Sequence, residues 1–188
     1  DFVKRQCEAA GRAADYYEIS PESGVRYNIL SRPDLTAPAL AGHVGALLEN
    51  VQGKGIDPFW HQEAKDLATQ CIRVIRLSKR REPTMADLYR VATSPDSFDA
   101  SFKGAEAQAK TPEEKAELDS LKFWHDAKLK SLDPKLRSSI AAGLNGICAL
   151  FDVPHIKKVF CPEKTEEDFL GFGGLLREGE FGGLRVPG

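Results

Sequence analysis

Six basic residues, Lys65, Arg73, Arg76, Lys79, Arg80 and Arg81, fall within DPFWHQEAKDLATQCIRVIRLSKRR, residues 57–81. Read as a helix, the stretch aligns Trp60, Ala64, Leu67, Cys71, Val74 and Ile75 along one stripe and sets most of the cations on the flank away from it. Phosphate binding asks for that display, because positive side chains spaced along a rod neutralise a nucleic-acid backbone without reading bases. A solvated face with cations near the negative end of the helix dipole accounts for the same residues. Both accounts stay open. On the phosphate account, changing Arg73, Arg76 and Arg80 to Ala leaves folding nearly intact and reduces binding.

Little else resembles a reactive centre. There is no GxxxxGK[ST]; the Gly-Lys pair of GKGIDPFW lacks the leading glycine and is followed by Gly55. FGGLLREGEFGG is not a GxGxxG after a strand, and no GxSxG, HExxH or EF-hand spacing occurs. His61 and His125 each follow a Trp, which fits partly buried histidines satisfied by a neighbour better than a catalytic pair. The four cysteines, Cys7, Cys71, Cys148 and Cys161, form no CxxC, so the reading is buried reduced thiols in a cytoplasmic protein, with no metal site. No catalytic residue is assigned.

A net charge of -2 excludes a protein that coats nucleic acid through bulk charge, so any basic surface must be local. The hydrophobic fraction of 41% and charged fraction of 29% are those of an ordinary folding chain, long enough to bury a core unaided. No apolar run of about 18 residues occurs, so no membrane insertion is expected.

The elements that must position these residues are mostly helices. DFVKRQCEAAGR reads as a helix stopped by Gly11, and DYYEIS, closed by Pro21, as a strand. Apolar spacing predicts helices over 36–51, 57–81, 84–92, 111–130 and 133–151. Their starts are marked by cap residues: Asp57 before Pro58, Thr84 with Asp87, Thr111 with Glu114, Asp133 before Pro134. Ala141, Ala142, Gly143 and Gly146 thin one side of the last of these for close approach of another helix. The polar stretch 94–110 reads as a loop with a helical turn, Thr165 as the start of a short helix, and Leu184 to Val186 as a strand. The expected fold is a mainly α bundle of six to seven helices with one or two short strands at its ends.

Four phrases, in order, carry a family resemblance: GRAADYYEISPESGVRYNIL, ALLENVQGKGIDPFWHQEAKDLATQCIRVIRL, ICALFDVPHIKKVFCP and LLREGEFGGLRVP. Together they resemble the central part of type IV secretion system coupling proteins, the conjugative DNA-transfer ATPases. The resemblance implies three parts: residues 1–30 as a helix-strand piece of the RecA-like motor, 31–160 as the all-α domain inserted into it, and 161–188 as the return segment. It implies a domain that receives DNA or a relaxase or effector protein and meets other type IV secretion components. The parent would be a hexameric ATPase anchored at the inner membrane with its motor in the cytoplasm. Its ATP and Mg would be held by parts outside residues 1–188, so this chain would need no cofactor and would not itself hydrolyse ATP. The rival reading is a stand-alone helical scaffold that binds only protein.

Overall fold

The computed structural model describes residues 2–16, 18–52, 57–162 and 169–171. Among them the chain is mainly helical, as its periodicity predicts, with eight α-helices and two three-residue strands. Helix α1 (Phe2–Ala9) ends at Gly11, whose φ of 68° lies in the left-handed region that glycine adopts without strain. The described residues of DYYEIS, which leave out Tyr17, do not form the expected strand: a 3-10 turn spans Ala13–Asp15, and Ser20 and Ser23 exchange hydrogen bonds in a tight turn. Strand propensity without a neighbouring strand to pair with is not enough to make one. The strand β1 comes later, at Arg26–Asn28.

Helices α2 (Ala37–Gln52) and α3 (Pro58–Lys79) follow, and α3 is the axis of the molecule. Around it pack α2, α4 (Met85–Thr93), α5 (Pro95–Gln108), α6 (Pro112–Trp124) and α7 (Pro134–Cys148). That placement follows from its sequence: Ala64, Leu67, Ala68, Cys71, Ile72, Val74 and Ile75 are all buried, a face broad enough to serve several neighbours. Trp60, assigned to the same stripe, is instead 37% exposed at the edge of the bundle. The thin side of α7 works as its composition predicts, since a methyl added at Gly143 would sit 3.6 Å from the Ala64 Cβ on α3.

The predicted caps all form. Asp57 accepts from the Phe59 amide at 2.8 Å and Asp133 from the Lys135 amide at 2.9 Å, each just ahead of a proline at the first helical position. Thr84 with Asp87 and Thr111 with Glu114 close reciprocal capping boxes. Residues 95–108 are the main surprise, a 14-residue helix capped by Ser94 in place of the expected loop, with Phe98 and Ala105 buried. Beyond α7, a 3-10 turn (Ala149–Asp152) leads to α8 (Pro154–Phe160).

Strand β2 (Phe169–Gly171) runs parallel to β1, with Tyr27 opposite Leu170. The helical region from α2 to α8 is therefore the crossover between two adjacent parallel strands. Asn28, at the end of β1, is 3% exposed and spends both ends of its amide: Nδ2 donates to the Pro83 carbonyl and Oδ1 accepts from the Leu30 amide. This fastens the strand to the chain entering α4. The helix expected from Thr165 and the strand expected at Leu184 to Val186 lie outside the described residues, apart from the β2 segment. Among the described residues, no single helix is long and apolar enough to cross a membrane.

Candidate nucleic-acid interface

The end of α3 sets the geometry. Arg80 takes a left-handed conformation (φ 53°, ψ 31°) and its amide still bonds back to the Arg76 carbonyl. For a residue with a Cβ that conformation costs about 1–2 kcal/mol. The surroundings offset it: the Arg80 guanidinium binds the Glu114 carboxylate in the first turn of α6 and the Gln108 carbonyl at the end of α5. That bond, followed by the Lys110 and Thr111 amides, holds the Glu114 carboxyl down to about 2. The reversal at Arg80 redirects the chain, so that Lys79 before it and Arg81 after it both reach the N-terminus of α4.

The six cations of the stretch thus do not act together. Arg73 is tied to α6 through Glu117 and Ser120, with Gln70 as a third partner. Arg76 donates to the Leu35 carbonyl at 2.9 Å, the Arg32 carbonyl at 3.1 Å and Glu82 at 2.6 Å, pinning the turn that precedes α2. Arg80 holds α6, as described. Lys65 lines an open groove with Gln62, Thr69 and Glu117, its stem close to Gly45, and makes no ion pair among the described residues. Lys79 and Arg81 converge on one carboxylate, Asp87, at 2.5 and 2.8 Å.

Two cations that sequence reasoning did not single out complete the cluster. Arg90 of α4 bonds Asp152 at 2.9 Å, and Lys157 of α8 stands 3.8 Å from the same carboxylate. Lys79, Arg81, Arg90 and Lys157 line one cavity of about 450 Å³, with Thr84, Asp87 and Cys161 in its walls. Four cations share two carboxylates there, leaving two positive charges without an internal counterpart. Arg90 is 56% exposed and Lys79 41%, so both can turn outward, whereas Asp87 is only 9% exposed. Burial disfavours ionisation of Asp87, but Lys79 and then Arg81 outweigh it and hold the carboxyl below its ordinary range. The result is a buried anion at the base of a more exposed cationic rim. Arg90 and Lys157 lie one to a helix in separate segments, so only their positions in the last turns of α4 and α8 marked them.

Neither His61 nor His125 lines this corner. His61 Nε2 faces Glu49 at 3.2 Å, and His125 stacks on Phe98 with ring centroids 5.1 Å apart. Among the described residues no group of histidine, cysteine and carboxylate side chains is arranged to hold a metal ion. Cys71, Cys148 and Cys161 are buried, and Cys7 is partly exposed. Burial, then the nearby Cys161, pushes the Cys148 thiol up to about 12; burial and Cys148 raise that of Cys71 further. A thiol held protonated and out of reach is a poor nucleophile. In native protein an aromatic disulfide reagent is therefore expected to label Cys7 alone, with the other three reacting only on unfolding. Rapid native labelling of Cys71 or Cys148 would show that the α3–α7 contact opens readily.

No known protein family, curated protein or solved structure matches the chain.

Proposed function

We propose that residues 31–160 are a substrate-recognition domain inserted into the motor of a type IV secretion coupling ATPase, and that the basic corner of α3, α4 and α8 is where it meets nucleic acid. The observation that carries this reading is the parallel pairing of β1 and β2 around the helical region. Parallel strands belong to sheets covered by helices on both faces, and a pair of three-residue strands is too short to be stable alone. A helical domain whose two ends return to neighbouring parallel strands fits an insertion into a larger α/β sheet. The phrases around Asn28, in α3 and before α8 supply the choice of family. In this reading ATP would be bound with Mg, and hydrolysed, by other parts of the parent, on the cytoplasmic side of the inner membrane.

The corner suits a phosphate backbone. Its surplus of two charges is local, as the overall net charge of -2 requires. Its cations come from α3 (Lys79), the turn after it (Arg81), α4 (Arg90) and α8 (Lys157), so their placement is set by the packing of these elements. Contact with two to four phosphates predicts sequence-independent binding whose affinity falls about 10- to 100-fold between 50 and 200 mM salt. Titration of labelled single- and double-stranded oligonucleotides at the two salt concentrations measures this. The double variant Arg90→Gln/Lys157→Gln is expected to weaken binding at least about fivefold and to flatten the salt dependence. Absence of binding at 50 mM salt would leave the protein-binding scaffold as the better reading.

A further inference from the structure

A second cavity lies on another face of the bundle, between the α4–α5 junction and α7. Its apolar walls come from Leu67, Val91, Phe98, Leu129 and Ala141, all buried. Its volume is about 170 Å³. Sites for drug-sized molecules run from about 300 Å³ upward, whereas a cavity of about 150 Å³ holds one benzene ring. The size thus fits a single apolar side chain, an anchor from a protein partner, rather than a cofactor.

The structure around the mouth is built, not incidental. After Trp124 the helix widens into a π turn, His125–Leu129, which brings His125 and Leu129 to the cavity. Such turns cost regular hydrogen bonding and recur at functional sites. His125 stacks on both Phe98 and Phe102 and faces Asp99 at 3.5 Å. Lys130 is matched by Asp126 at 2.9 Å. Arg137, half-buried at the rim on α7, has no side-chain partner among the described residues, unlike Arg73, Arg76, Arg80, Arg81 and Arg90, which all hold carboxylates. A guanidinium held beside an apolar hole selects a carboxylate next to the group that fills it.

We propose that this cavity is the anchor site for an acidic segment of a partner protein, which inserts one aliphatic or single-ring aromatic side chain and pairs a flanking carboxylate with Arg137. The proposal does not rest on the nucleic-acid reading of the basic corner, which lies on different residues of α3 and α4.

The test is amide NMR titration of the 188-residue chain with three capped tripeptides: acetyl-Glu-Phe-Glu-amide, acetyl-Lys-Phe-Lys-amide and acetyl-Glu-Ala-Glu-amide. The first is expected to shift Thr93, Phe98, Leu129 and Arg137 saturably, and to bind about fivefold or more tightly than either of the others. Arg137→Gln should erase the preference for Glu over Lys. Ala141→Leu, or Ser138→Trp at the rim if the first disturbs the core, should abolish binding. Equal binding of the acidic and basic peptides, binding unaffected by filling the cavity, or no saturable shift at about 10 mM would each overturn the proposal. So would binding of free 3-phenylpropionate in the absence of any peptide response, which would make the ligand a small molecule.

Discussion

Replacing Asp87 by alanine is expected to lower the unfolding free energy by about 3–5 kcal/mol, measured by urea or thermal denaturation. The side chain is 9% exposed and does three jobs at once. It accepts from the Thr84 amide at 3.0 Å and the Thr84 hydroxyl at 2.9 Å, closing the cap of α4. It also pairs with Lys79 and Arg81. Loss of the cap alone costs about 1 kcal/mol, and the larger part comes from leaving two cations without the anion they were folded around. Because Asp87 is held below its ordinary value, its contribution is complete above about pH 4 and fades as pH falls toward the lowered folded value. Wild type and Asp87→Ala should therefore converge in stability in acid. A loss under about 1 kcal/mol near neutral pH would mean that water already solvates the pair. The conservative variant Asp87→Asn adds a further check on function: it raises the positive surplus of the corner, so oligonucleotide affinity should rise while stability falls.

The second large effect is expected at Arg76. Its guanidinium serves two backbone carbonyls and Glu82, and its side chain is 23% exposed. Arg76→Ala is expected to cost about 2–4 kcal/mol, since hydrogen bonds to charged groups contribute about 1.5–3 kcal/mol each and the two carbonyls lose their donor together. Arg76→Lys should recover little, because an ammonium does not reproduce the planar fork that reaches both carbonyls. Charge alone led the sequence reading to treat Arg73, Arg76 and Arg80 as removable with folding nearly intact. The bonds to the 32–35 turn and to α6 argue otherwise for Arg76. Chemical denaturation of the single variants decides the matter, and an Arg76→Ala protein as stable as wild type would return these arginines to the ligand-binding reading.

Helix starts were legible because a cap is a local device. Asp57, Thr84, Thr111 and Asp133 bond amides two or three residues away, so the sequence that forms the cap also announces it. Helix α5 escaped for the opposite reason. Its apolar positions are few and show no sustained period, and a methyl at Gly104 would come within 3.2 Å of the Ser78 Cβ on α3. The small residue reflects the closeness of two helices, a fact of packing that propensity does not contain. DYYEIS failed similarly, since branched and aromatic residues favour a strand only when another strand is beside them.

Taken by itself, the order of residues determined the mainly helical class, the capped starts of α3, α4, α6 and α7, and the apolar face that makes α3 the axis. Those are short-range properties, set by bonds and periods within one or two turns. The tertiary structure alone decided which cations are occupied and which remain available. Arg73 met Glu117 and Arg80 met Glu114 across more than thirty residues of chain, while Arg90 and Lys157 joined Lys79 and Arg81 from separate helices. Ion pairing depends on distance in space and on burial, and neither can be read along a chain until its helices have been packed.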